Sequence, residues 1–307
     1  MTKPDPTFTP QSLPNHFLML LKAGLKGNNY TQGIAHNGML IPPALCMEPL
    51  YLELEPLSAK KVHHYHRLVN WTDSEILHPC LLHILAFPLH ILLMTRADFP
   101  FKLLGLIHVS NEIRQFCPVK RDDRLHFSCF LTDIQRHAKG WIFTLQSEVR
   151  VKNQLCWQGK SVNLFQDAAG QRGRDARHPC LVKSACAAPV TWQLGSDLGR
   201  RYASLSGDFN PIHLSVFSAR IFGLKRHIAH GMFSKARCIS TLHQLYPDYF
   251  KGPFSVQTKF IKPIFLPAKV NFIHSDKVVH GQPREIAFSL RGFETLQPHL
   301  KGALALI

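Results

Sequence analysis

The stretch Ile76–Thr95 holds no Asp, Glu, Lys or Arg and has about the length of a membrane span. It also contains His78, Pro79, His83, Pro88 and His90, which are costly in lipid. The pattern therefore predicts a buried core helix over Pro79–Met94, interrupted at Pro88. Apolar-polar alternation then predicts strands at Gly105–Phe116, Arg124–Asp133 and Trp141–Val151. The same order recurs later. A helix over Gly231–Tyr246, stopped by Pro247, precedes strands at Phe254–Ile261, Lys269–Ser275 and Arg284–Gly292. Pro118 and Pro263 end comparable strands, and Leu125 and Val270 begin the next at the same offset. We read this as an internal duplication. A helix followed by an antiparallel meander gives an α+β fold, with each sheet wrapped on its helix.

Between the repeats, Gln166–Lys183 is rich in Gly, Arg, Asp and Ala and has no periodicity, which marks an exposed linker. The expected organisation is a first unit over 1–165, a linker over 166–186 and a second unit over 187–307. Near the start, Phe17–Leu21 predicts a short helix with Asn15 as N-cap and Gly24 or Gly27 ending it. That run is too short for the apolar core of a secretion signal.

Composition adds a partner class. The 307 residues carry 36 Lys and Arg against 20 Asp and Glu, a net charge of +16, which points to a polyanionic partner. Nucleic acid, an anionic membrane and a phosphorylated cofactor or carrier all satisfy that sign. The basic residues are dispersed, without an aromatic-basic stacking motif, so nucleic-acid binding is the weaker reading. The cysteines Cys46, Cys80, Cys117, Cys129, Cys156, Cys180, Cys186 and Cys238 form no C-x-x-C pair, which favours reduced thiols in a cytoplasmic protein. His63, His64 and His66 have no acidic or thiol partner at ligand spacing, so they read as an exposed strand and no metal is expected.

One segment carries chemistry: Tyr202-Ala-Ser-Leu-Ser-Gly-Asp-Phe-Asn-Pro-Ile-His213, followed by Ile228-Ala-His-Gly-Met232. Asn210 before Pro211 is a helix start, with Asn capping free amides and Pro occupying the first helical position. His213 then lies in the first turn and Asp208 on the incoming loop, which Gly207 lets turn sharply. An Asp and a His within reach of one water form an acid–base pair. A bare spacing of this kind is weak evidence, and Asp73 with His78 repeats it without the Asn-Pro corner. Gly231 opens the second long helix, where unpaired amides and the positive dipole end converge; it serves close ligand approach or close packing.

The run S-G-D-F-N-P-I-H followed by I-A-H-G-M resembles the MaoC-like hydratases, also called (R)-specific enoyl-CoA hydratases or hydratase 2, of hot-dog fold. The resemblance covers Gly195 to Pro267 well. The first half has no catalytic motif; its L-A-F-P-L-H and G-L-I-H resemble the non-catalytic repeat of double hot-dog members. The resemblance implies that Asp208 and His213 activate a water, that Asn210 and Gly207 support the loop, and that the Gly231 amide binds the thioester oxygen. It implies reversible hydration of a trans-2-enoyl thioester to an (R)-3-hydroxyacyl thioester, carried on CoA or acyl carrier protein, with no cofactor or metal. Family members often place a serine on the central helix; here Ile239 stands there, with Ser240 beside it and Ser234 earlier. A silent acyl-thioester-binding protein is the alternative. No membrane insertion is expected, and both a homodimer and a monomer with its two repeats paired are compatible with the chain.

Overall fold

The computed structural model describes residues 7–8, 48–103, 105–166, 188–279 and 282–307. The expected helix at Phe17–Leu21, all but the first residue of the expected linker, and Cys46, Cys180 and Cys186 lie outside the described residues. After a two-residue strand β1 (Thr7–Phe8), the first half runs β2 (Leu50–Leu54), α1 (Ala59–Val69), α2 (Pro79–Thr95), β3 (Ile107–Gln115), β4 (Leu125–His137), β5 (Gly140–Val151) and β6 (Gln154–Gln166). The second runs β7 (Val190–Leu194), α3 (Leu198–Ser206), α4 (Val216–Ile221), α5 (Gly231–Leu245), β8 (Phe254–Phe260), β9 (Ala268–Val279), β10 (Gln282–Gly292) and β11 (Pro298–Leu306).

All the described strands form one sheet in the order β1-β2-β4-β5-β6-β3-β8-β11-β10-β9-β7. Setting β1 aside, the order reads the same from both ends once β2–β6 are matched to β7–β11. The halves meet at the antiparallel β3–β8 pair, where Asn111 stands opposite Thr258. The duplication is thus present in the topology, and the fold is a double hot-dog. Each half contributes a strand before its long helix and four after it, so β2, β6, β7 and β11 are additions to the sequence reading. β11 was hidden because its inward apolar positions, Leu300 and Leu304, are separated by Gly302, where a side chain would collide with the Phe288 ring.

Alternation places Leu125, Phe127, Cys129 and Leu131 of β4 in the core. α2 is buried on nearly every face, as its charge-free sequence requires. It continues through Pro88 without a break, which corrects the expected interruption: proline removes one helix hydrogen bond, and packing on all sides holds the remainder. His63, His64 and His66 lie on helix α1, not on an exposed strand. Val62, Tyr65, His66 and Val69 form its buried stripe, and polar residues between them masked the helical period. Asp73 accepts from the Glu75 and Ile76 amides in a turn, and His78 caps α2 by accepting from the Cys80 amide at 2.9 Å. That pair has a local structural use. Cys80, Cys117, Cys129, Cys156 and Cys238 are free thiols. No described helix is long and apolar enough to cross a membrane.

Candidate active site

The corner between α3 and α5 is built from local hydrogen bonds. Gly207 ends α3 in the left-handed region, φ 76°, and its amide donates to Ala203 O at 2.8 Å. A side chain would be strained there, so glycine turns the loop. The Asp208 amide donates to Ser206 Oγ, and Asp208 Oδ1 accepts from the Asn210 amide at 3.2 Å. Asn210 Oδ1 caps the short 3-10 turn Pro211–His213 through the Ile212 amide. Bonds made by Ser206, Gly207, Asp208 and Asn210 therefore fix the loop that carries Asp208 and leads into His213.

His213 is buried, with 8% of its surface exposed, and its Nδ1 donates to Ile228 O at 2.8 Å. A carbonyl only accepts, so the proton sits on Nδ1 and Nε2 is left with its lone pair. Nε2 has no partner among the described residues. Burial lowers the His213 pKa; the Asp208 charge and the Ile228 bond oppose that fall, and His227 adds to it. The imidazole is thus held neutral near neutral pH, as a proton acceptor must be.

His230, within the I-A-H-G-M run, takes a place that the sequence does not signal. It is the N-cap residue of α5, its Nε2 donates to Asp208 O at 3.0 Å and lies 3.8 Å from Asp208 Oδ2. Its ring stacks on His213 with centroids 3.7 Å apart and planes 24° apart. Burial, then the neighbouring His213, pushes the His230 pKa well down. Tyr202 of α3 lies across the other side, 4.8 Å from the His230 ring. Ligating atoms of Asp208, His213 and His230 all fall within 4.8 Å of one another. The near-parallel rings suit a common metal ion poorly, because an ion in the plane of one imidazole lies off the plane of the other. The grouping suits proton transfer.

Gly231 is the first residue of α5, whose N-terminus has no side-chain cap. Its backbone is ordinary; the constraint is space, since a Cβ there would sit 3.0–3.3 Å from the Phe260 ring. Of the two readings of this glycine, close packing is thus demonstrated, and the uncapped amides leave the second open. On the same helix Ile239 is buried, Ser234 Oγ donates to His230 O at 3.4 Å, and the Ser240 hydroxyl is buried with no partner among the described residues.

Lys235 gave no signal in the sequence. It is fully buried and donates to Asn111 O, Asn111 Oδ1 and Val256 O at 2.9, 2.6 and 3.0 Å. Burial pulls its amine down to about 7, and its bonds tie α5 to β3 and β8, one strand from each half.

Residues 182–286 match the family described as MaoC like domain. A 184-residue stretch is 32% identical to 3-hydroxyacyl-thioester dehydratase X of Mycobacterium tuberculosis, covering 60% of this chain and 64% of that protein's length. The fold superposes on the crystal structure of HtdX from Mycobacterium tuberculosis with a TM-score of 0.69 and 25% identity, over 84% of this chain and 100% of that one. A MaoC-like dehydratase from Phytophthora capsici gives a TM-score of 0.70 at 15% identity, over 86% of this chain and 96% of that one, and shows the fold alone. A Mycobacterium tuberculosis protein described as having a double hotdog fold gives 0.54 at 11% identity, over 83% and 93%. The second half of the chain is thus similar to the MaoC-like domain over residues 182–286, carried on a double hot-dog fold.

Proposed function

We propose that the protein is a hydro-lyase that interconverts trans-2-enoyl and (R)-3-hydroxyacyl thioesters. The carrying observation is the Asp208–His213–His230 grouping at the uncapped N-terminus of α5. The resemblance to 3-hydroxyacyl-thioester dehydratase X supports the same reaction class.

In the hydration direction a water lies between the Asp208 carboxylate and His213 Nε2. Its oxygen adds to C3 of the enoyl group and a proton reaches C2. The pair of electrons displaced from the C2–C3 double bond passes through an enolate, whose oxygen takes the Gly231 amide. His213, neutral and with Nδ1 tethered, accepts or returns the proton. Asp208 orients the water, and Asn210 and Gly207 hold the loop that carries it. The first half, with no such pair, serves as a silent repeat covering the acyl chain. The +16 charge suits a phosphate-bearing or acidic carrier, CoA or acyl carrier protein, and no stretch shows this better than Phe209–Pro247, which contains no acid.

Crotonyl-CoA hydration by Asp208→Asn and His213→Ala tests this reading. Each loses roughly 10²–10⁴-fold in turnover if the pair transfers the proton. A folded variant of either kind with wild-type turnover removes the assignment.

A further inference from the structure

The half without catalytic residues carries its own cluster of imidazoles. His83 and His90 are seven residues apart on α2, hence two turns apart on one face, and their ring centroids lie 5.2 Å apart. His108 of β3 stacks over His83 at 6.1 Å with planes 14° apart. His108 in turn lies 4.9 Å from the ring of Phe260, the residue packed against Gly231. The cluster therefore begins one aromatic ring away from the proposed thioester oxygen site, and it is near enough to Asp208 to feel that charge.

Hydrogen-bond accounting separates the three rings. His90 Nε2 meets Ser147 Oγ at 2.6 Å and is satisfied. His108 Nε2 is buried with no partner. Neither nitrogen of His83, 6% exposed, has a hydrogen-bond partner among the described residues. The nearby Lys235 is fully occupied by Asn111 and Val256. Burial drives all three imidazoles toward the neutral form, with His108 at about 3 and His90 at about 4. A neutral imidazole offers one donor and one acceptor, the complement of a hydroxyl group. Burying such a ring unbonded in the core costs stability that leucine does not.

We infer that His83 and His108, backed by His90, form a subsite for a hydroxyl group on the distal part of the acyl chain. This deepens the proposed hydratase reading and rests on it: the favoured substrates are thioesters of oxygenated acyl chains, not plain alkyl ones. The thioester end lies at Gly231, the chain passes Phe260, and its hydroxyl exchanges hydrogen bonds with His83 and with His108 Nε2, the His108 ring being held from its other side by the Ser110 backbone.

The test is calorimetric binding of decanoyl-CoA and of 6-, 8- and 10-hydroxydecanoyl-CoA, saturated thioesters that need no turnover. At least one hydroxylated form binds about 2–10-fold more tightly than decanoyl-CoA, as a net hydrogen bond gives. That preference disappears in His83→Leu and in His108→Leu. Either variant suffices if the other does not fold, and the melting temperature of a folded variant equals or exceeds that of the wild type, because an unpaired buried polar atom has been removed. Tight but equal binding of all four thioesters overturns the subsite alone. A preference that survives in the folded variants also overturns it. No binding of any of the four overturns the subsite, and crotonyl-CoA hydration decides separately whether the hydratase reading stands.

Discussion

Gly231 illustrates a glycine held by space and not by backbone conformation. Its φ requires no glycine, but a Cβ would press on Phe260 at 3.0–3.3 Å. Gly231→Ala therefore forces the ring to move or the helix start to shift, an overpacking cost of about 1–3 kcal/mol. If the ring is what resists, adding Phe260→Leu restores most of that loss, as chemical denaturation of the single and double variants would show; an equal loss in both places the strain elsewhere. At this scale the sequence was informative where geometry is local. Asp208, Asn210, Pro211 and His213 lie within six residues, and their mutual hydrogen bonds follow from cap and turn chemistry. His230 was in plain view, yet its stacking on His213 depends on Ile228 returning to Ile212 O and Ala229 bonding Ile264 O, contacts between distant segments. Lys235 was invisible because a helix lysine is ordinarily solvated, and nothing in its neighbours signals that Asn111, 124 residues away, will receive it.

The long elements were legible because burial writes itself into their composition. α2 lacks charge, α5 is framed by Gly231 and Pro247, and the strands that follow alternate. β2 and β7 were not, since each is only five residues long, and alternation over so short a run does not stand out from a loop. α3 was missed too, although it positions the site from behind. A Cβ at Gly199 on α3 would collide with the main-chain carbonyl of His213. Backbone cannot yield as a flexible side chain can, so Gly199→Ala displaces the 3-10 turn or the helix. The expected result is a stability loss of at least about 1–3 kcal/mol, together with a fall in crotonyl-CoA turnover. Substitution at Gly223, where the left-handed backbone is present but nothing lies within 4 Å, provides the comparison: strain without collision, and turnover retained. Equal turnover loss in both would mean that backbone conformation, not the α3–His213 contact, governs the site.

Taken whole, the molecule divides its labour across the β3–β8 junction. The second half holds the Asp208–His213–His230 grouping; the first contributes Asn111 to Lys235 and the His83–His90–His108 face. The cost of this arrangement is a set of histidines kept neutral by burial, and it sets the acid limit of the fold. Burial depresses the folded-state pKa of His78, His83 and His230, and brings His66 and His90 to about 4 and His108 to about 3. In the unfolded chain each titrates near the ordinary value of about 6.5. Above that pH neither state binds the proton and stability is at its full value. As pH falls below it, the unfolded chain takes up protons that the folded chain refuses. Each such histidine then removes up to about 1.4 kcal/mol of stability per pH unit until its folded pKa is reached. Several acting together make the loss steep, so the melting temperature should drop sharply between pH 6.5 and 5. His90→Leu isolates one contribution: its slope over that interval is shallower than the wild type's by about one proton. A melting temperature that stays level from pH 8 to 5 would mean that these rings are reached by water and protonated in place.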